Sequence, residues 1–101
     1  MNFGLPDSAT EAIRTVLRRW PQIDRAVLYG SRAMGTFKPG SDIDLTLVGG
    51  PDLTLRIRNQ VATALDDLML PYQIDLSVLG DIADRGLLDH IERRGVVFFT
   101  R

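Results

Sequence analysis

The sequence contains no cysteine and a single histidine. The absence of cysteine excludes disulfide bonds, thiolate zinc sites and a cysteine nucleophile, and one histidine excludes a metal site with several histidine ligands. No apolar run approaches the roughly 18 residues that a membrane-spanning helix needs, and we find no basic-then-apolar leader. From these absences we expect a cytoplasmic protein that does not bind a membrane.

An excess of charge of one sign is also missing. Twelve Lys and Arg residues stand against thirteen Asp and Glu residues, so the net charge is −1, and the charges are scattered along the chain. This pattern is not that of a polybasic protein, so we expect no direct binding of nucleic acid. A chain of 101 residues, 45% of them hydrophobic, has the size and composition of one small folded domain. We therefore expect residues 1–101 to form a single domain.

The hydrophobic periodicity predicts helices and strands in alternation. Helices are predicted from Ser8, which forms a capping-box pattern with Glu11, to Pro21, from Asp52 to Met69, and after Asp84. Strands are predicted at residues 26–29, 43–48, 73–79 and 96–99, and a turn with one helical turn after Ser31 is predicted at residues 31–41. This order predicts an α/β fold, in which a small mixed β-sheet has its helices packed on one face.

Three aspartates fall on the polar face of the second and third predicted strands. Asp42 and Asp44 point to the same side, and Asp75 joins them if the third strand lies beside the second. Carboxylates so close together repel one another, which raises their pKa values unless a cation intervenes, and Mg²⁺ prefers such oxygen ligands. An Asp-x-Asp pair alone is also typical of the solvated face of a strand. Its repetition on a second strand favours a site, because Asp is depleted in strands.

A Gly-Ser pair, Gly30 and Ser31, follows the first predicted strand. Backbone N–H groups at such a turn can bind phosphate together with the Ser31 hydroxyl, and glycine lets the backbone approach closely. The pair alone is a common way to leave a strand. A ten-residue spacer separates it from the Asp-x-Asp pair, which puts an anion site beside a metal site. Nucleoside triphosphate chemistry needs that arrangement.

A resemblance to a known family rests on two linked motifs, GSRAMG at residues 30–35 and SDIDL at residues 41–45. They resemble the signature of the DNA polymerase β-like nucleotidyltransferase superfamily in its minimal (MNT) form, the MntA-type antitoxins of HEPN/MNT modules. Residues 73–76 resemble the segment that supplies this family's third carboxylate, and residues 88–96 are similar to its usual ending. The resemblance implies the polymerase β palm-like nucleotidyltransferase fold.

The resemblance also implies a nucleotide site and a metal site, formed by Gly30, Ser31 and Arg32 and by Asp42, Asp44 and Asp75, respectively. Gly30 and Ser31 would hold the triphosphate of ATP, with Arg32 near the phosphates, and the aspartates would bind two Mg²⁺ ions. Asp75 would also assist deprotonation of the acceptor hydroxyl. Many members carry a second basic residue where this chain has Met34, which leaves Arg32 and Lys38 as the nearby cations.

Minimal members of the family typically act as antitoxins of a HEPN-domain partner encoded beside them, and some transfer AMP from ATP to a tyrosine of that partner. The resemblance therefore implies a Mg²⁺-dependent protein adenylyltransferase (an AMPylator) with a HEPN-domain partner. Two alternatives stay open: nucleotidyl transfer to a small-molecule hydroxyl, and a non-catalytic antitoxin that neutralises its partner by direct binding. Loss of an aspartate would favour direct binding, and none is lost. His90 is expected at the surface of the last helix.

Overall fold

The computed structural model describes residues 2–101. Its helices are α1 (Asp7–Arg18), α2 (Ser31–Met34), α3 (Leu55–Asp66) and α4 (Arg85–Arg94). Its strands are β1 (Arg25–Tyr29), β2 (Ile43–Val48), β3 (Ile74–Val78) and β4 (Val96–Thr100), with a 3₁₀ turn at Leu79–Asp81. The order of elements confirms the predicted α/β fold class. No helix among these residues is long and apolar enough to cross a membrane.

The four strands form one mixed sheet in the order β3-β2-β1-β4. β1 is antiparallel to both β2 and β4, whereas β2 and β3 are parallel. A parallel pair needs a crossover connection, and α3 lies in the segment that joins these two strands. The expectation that the third strand lies beside the second is therefore confirmed.

One face of the sheet carries the hydrophobic core. Alternate residues of β1, β2 and β3 point to this face, where α1 and α3 supply the opposing apolar side chains. The core includes Ala26, Leu28, Ile43, Leu45, Leu47, Leu76 and Val78 from the sheet and Ile13, Val16, Leu17, Val61 and Leu65 from the two helices. The intervening residues of the strands point to the opposite face, and these include the aspartates of the predicted site.

Helix α4 contacts the opposite face at its β1 end, which differs from the expectation that the helices pack on one face. Val27, which points away from the core, lines a cavity together with Leu88 and Ile91 of α4. Gly95 at the end of the helix comes so close to Val27 that an added Cβ would lie 2.7 Å from Val27 Cγ1. α4 therefore covers the β1 side of this face and leaves Asp75 on β3 exposed.

The helices begin at residues that differ in part from those predicted. α1 begins at Asp7 after Pro6 and has no side-chain cap, so the predicted capping box from Ser8 is wrong. The Thr54 side chain caps α3 by accepting a hydrogen bond from the Ile57 N–H, in place of the predicted Asp52. The predicted Asp84 cap of α4 is confirmed by its hydrogen bond from the Leu87 N–H.

Candidate active site

The structure brings together the three aspartates that the sequence singled out. Asp44 on β2 and Asp75 on β3 are direct partners in the parallel ladder, and neighbouring strands lie about 4.8 Å apart. Asp42 immediately precedes β2 and is exposed. Because the buried Ile43 and Leu45 fix the orientation of β2, the aspartates that alternate with them must point away from the core.

Asp44 is the electrostatic centre of this group. Burial raises the pKa of its carboxyl, and the neighbouring charges of Asp75 and Asp42 raise it further. The charge that His90 carries when it is protonated acts in the opposite direction. Removing solvent and adding like charges both disfavour the carboxylate form, so the site holds negative charge that a bound cation would relieve.

The Gly30 turn lies directly against Asp44. Gly30 ends β1 with a φ of +77° and a ψ of −158°, and α2 begins at the next residue. A Cβ added at residue 30 would come within 3.0 Å of Asp44 Oδ2, a distance that real Cβ atoms essentially never show. The structure therefore places the Gly-Ser turn and the Asp-x-Asp pair together, as the sequence predicts.

His90 belongs to the same group, which sequence reasoning missed. The prediction placed it at the surface of the last helix, but its imidazole is half-buried and Nε2 accepts a hydrogen bond from the Gly30 N–H at 3.1 Å. The Tyr29 ring meets it edge-on, with 6.2 Å between ring centroids. Burial also raises the pKa of the Tyr29 hydroxyl. No local sequence pattern predicts these contacts, because His90 and Gly30 are 60 residues apart in the sequence.

Arg32 is buried against the loop that precedes Asp42. Its side chain is only 3% exposed, and its guanidinium donates hydrogen bonds to the carbonyl oxygens of Ser41 and Phe3 at 2.8–3.0 Å. The rings of Phe37 and Tyr72 pack on it at 5.3 and 5.0 Å. The side chain thus holds the loop that leads into Asp42, and its place near the phosphates stays a prediction. Lys38, the other expected cation, is exposed.

The carboxylates fit a divalent cation that shares its coordination with another ligand. Among residues 2–101, no three Asp, Glu, His or Cys side chains form a set that could hold a metal ion by themselves. Mg²⁺ is usually bound in proteins by one or two carboxylates, with phosphate oxygens and water as its other ligands. The oxygen donors of Asp44 and its neighbours suit that mode, and a bound cation would offset the like charges of Asp75 and Asp42 that, after burial, raise the pKa of Asp44.

An open cleft of about 520 Å³ lies along β3 beside Asp75. Its lining includes Tyr29, Asp75 and Ser77 from the strands and Arg58 from α3. Because β3 is an edge strand and Asp75 is exposed, a second molecule can approach this carboxylate from solvent.

Residues 11–101 match the family model described as Polymerase beta, Nucleotidyltransferase. The chain belongs to this nucleotidyltransferase family. The resemblance that the two motifs carry is thereby confirmed, and the mixed sheet with its four helices is the fold of the family. No curated protein sequence matches this member of the family.

Solved structures of toxin–antitoxin complexes are similar to this family member. A chain in the crystal structure of a toxin–antitoxin with AMP-PNP is 25% identical with a TM-score of 0.73, over 91% of this chain and 73% of that one. A chain of an MntA–HepT complex is 21% identical, with a TM-score of 0.69 over 95% and 74% of the two chains. The complex of tri-AMPylated HEPN toxin with MNT antitoxin from Shewanella oneidensis gives 21% identity and a TM-score of 0.68, over 93% and 71%.

Proposed function

We propose that this chain is a Mg²⁺-dependent protein adenylyltransferase of the cytoplasm, which transfers AMP from ATP to a tyrosine of a HEPN-domain toxin and so acts as its antitoxin. The observation that carries the proposal is the pairing of Asp44 with Asp75 on adjacent strands, directly beside the Gly30 turn. The similarity to structures that contain AMP-PNP and an AMPylated HEPN toxin supports the choice of nucleotide and acceptor. We propose further that residues 1–101 act as one minimal domain.

In the proposed reaction, the backbone at Gly30 and the Ser31 hydroxyl bind the triphosphate of ATP. Mg²⁺, held by Asp42, Asp44 and Asp75 as two ions, would neutralise the triphosphate and the leaving group. The acceptor hydroxyl attacks the α-phosphorus, a new P–O bond forms, and the bond from that phosphorus to the bridging oxygen breaks as pyrophosphate leaves. Asp75 takes the hydroxyl proton, because it faces the open cleft from which the acceptor approaches.

The test is the intact mass of the HEPN-domain protein encoded beside this chain, after co-expression of the two. Three versions of the chain are compared: the wild type, the double variant Asp42→Asn/Asp44→Asn, and Asp52→Asn, a matched control that removes an exposed aspartate outside the site. We expect one or more adenylyl groups on the partner with the wild type and the control, and none with the double variant. The mass gain also identifies the transferred nucleotide.

The other outcomes decide among the remaining functions. A stable complex without any mass gain, formed equally by wild type and double variant, contradicts the transferase and leaves an antitoxin that acts by direct binding. Neither a mass gain nor a complex contradicts both proposals for the partner and leaves transfer to a small-molecule hydroxyl. Chelation of divalent cations during the reaction tests the metal separately: transfer should stop on chelation and return when Mg²⁺ is added.

A further inference from the structure

The only histidine of the chain connects helix α4 to the turn beside the aspartates. His90 Nε2 accepts a hydrogen bond from the backbone N–H of Gly30 at 3.1 Å. The same ring also contacts Tyr29, the residue that precedes the turn, edge-on at 6.2 Å between ring centroids. The imidazole therefore links helix α4 to the Gly30 turn, two segments that are distant in the sequence.

The direction of this hydrogen bond defines the state of the imidazole. A neutral imidazole has one nitrogen that donates and one that accepts, whereas both nitrogens of the imidazolium donate. Since Nε2 accepts from Gly30, the ring proton of the bonded form lies on Nδ1. A leucine of similar bulk can fill the same space but cannot accept, and a glutamine can accept through its side-chain oxygen.

The position of the Gly30 backbone in turn limits where the Asp44 carboxylate can lie. Gly30 and Asp44 Oδ2 are so close that no side chain fits between them at residue 30. A shift of the peptide that joins Tyr29 to Gly30 would change both the approach to this carboxylate and the direction of the amides that follow in α2. The group that fixes this peptide therefore influences both halves of the site.

We propose that His90 is a positioning residue, which fixes the Gly30 turn against Asp44 through the hydrogen bond to Nε2 and so orients the turn that receives the triphosphate. The expected effect on nucleotide binding and transfer rests on the proposed function. The hydrogen bond between His90 and Gly30 can be tested without any measurement of activity. His90 does not touch the reacting atoms in this scheme. Its effect reaches them through Gly30.

The experiment compares His90→Leu, His90→Gln and Arg93→Ala with the wild type. Arg93 lies on the same helix and makes only an exposed ion pair with Asp89, so its alanine variant controls for general changes to α4. Amide exchange of Gly30 in ¹⁵N-labelled protein reports the link, and the single histidine makes the imidazole nitrogen signals unambiguous. Affinity for Mg²⁺·ATP and the kcat and KM of transfer to the partner report its consequence.

In the wild type we expect Nε2 to carry no proton and the Gly30 amide to be protected from exchange. Arg93→Ala should give the same two results. His90→Leu should lose that protection and bind Mg²⁺·ATP about tenfold more weakly, the effect of one lost hydrogen bond. His90→Gln should restore binding to within about threefold of the wild type. A general packing role would not distinguish glutamine from leucine in this way.

Two results overturn the inference. One is a Gly30 amide that stays equally protected in His90→Leu, and the other is a glutamine variant that behaves like the leucine variant in both protection and nucleotide affinity. Failure of the proposed function is distinguishable from either result. In that case the wild type transfers no nucleotide, yet the Gly30 amide still responds to His90→Leu and is restored by His90→Gln.

Discussion

Gly30 and Asp44 are in direct contact across the β1–β2 pair, with the carboxylate oxygen Oδ2 filling the space that a side chain at residue 30 would need. Gly30 also has a φ of +77° with a ψ of −158°, a combination that is open essentially to glycine alone. Glycine is therefore required here for two separate reasons, one of backbone conformation and one of space. Only the second reason concerns the site.

The first prediction is that Gly30→Ala abolishes nucleotidyl transfer and lowers the free energy of unfolding by about 1–2 kcal/mol. The strained backbone conformation at residue 30 accounts for most of the lost stability, and displacement of the Asp44 carboxylate accounts for the lost activity. Urea unfolding measures the first effect, and the mass gain of the HEPN-domain partner measures the second.

Gly35→Ala is the matched control for this variant. Gly35 has the same φ of +77° but a ψ of 10°, a left-handed helical conformation that other residues adopt at a modest cost, and an added Cβ would meet nothing within 4 Å. Gly35→Ala should lose about 1 kcal/mol of the free energy of unfolding, less than Gly30→Ala, and keep its activity. If Gly35→Ala were as inactive as Gly30→Ala, backbone strain alone would explain the loss, and the contact with Asp44 would not matter.

The second prediction concerns pH and Asp44, whose pKa is raised above its ordinary value in the folded protein. As pH rises past the ordinary pKa of an aspartate, the unfolded chain releases the Asp44 proton while the folded protein still holds it. The free energy of unfolding therefore falls until pH passes the raised pKa of Asp44 in the folded protein. Asp44→Asn removes this loss. We expect the variant to be inactive but more stable than the wild type at neutral pH. The two proteins should be equally stable at a pH low enough for Asp44 to be protonated in both the folded and the unfolded state.

Urea unfolding over about pH 3 to 8, in the presence of a chelator, measures this difference. Asp52→Asn, which changes an exposed aspartate, should show no such divergence from the wild type. A wild type that is more stable than Asp44→Asn at neutral pH would contradict the proposed electrostatic cost at residue 44.

The strands were predictable where one face is buried and the other is not. β2 matches its predicted range, because buried Ile43, Leu45 and Leu47 alternate with polar residues. β4 does not alternate, since Phe98 and Phe99 are both buried. The register with β1 shifts by one residue between Ala26 and Val27, which leaves Phe98 as the extra residue of a bulge. The partner strand determines such a bulge, so the pattern of β4 alone cannot show it.

The proximity of the site residues was also predictable only in part. Gly30, Asp44 and Asp75 could be placed together from strand periodicity and from the spacing of two motifs. The contacts of His90 and Arg32 could not, because both depend on carbonyl or amide groups that are distant in the sequence. A charged residue inside a motif suggests a ligand, whereas in this fold the Arg32 side chain holds a loop.

The third prediction is that Arg32→Lys lowers the free energy of unfolding by about 2 kcal/mol. Lysine keeps the charge but loses the planar pair of donors that binds the Ser41 carbonyl, and it leaves polar groups buried with fewer partners. The loop before Asp42 should loosen, and the KM for ATP should rise. Urea unfolding and steady-state kinetics measure the two effects.

Arg58→Lys provides a close comparison for Arg32→Lys. Arg58 makes the same two-donor contact, Nε and Nη2 to the Leu76 carbonyl at 3.0 and 2.8 Å, but it is only partly buried. Its loss should stay below about 1 kcal/mol, because solvent can replace the hydrogen bonds. Equal losses in the two variants would mean that the burial and the aromatic neighbours of Arg32 contribute nothing.

The last prediction concerns Gly95, the residue that ends α4. Its φ of −66° and ψ of 144° are open to any residue. Glycine is needed there for space, because an added Cβ would overlap the Ile91 carbonyl oxygen and lie 2.7 Å from Val27 Cγ1. Gly95→Ala must therefore push α4 away from β1.

We expect Gly95→Ala to lower the free energy of unfolding by about 2 kcal/mol, as overpacking typically does. Because α4 carries His90, the Gly30 amide should also lose protection against exchange, although residue 95 is far from the site in the sequence. Gly80→Ala, whose Cβ would meet nothing within 4 Å, should leave both measurements unchanged. A Gly95→Ala protein that is destabilised while the Gly30 amide stays protected would show that the turn does not depend on the position of α4.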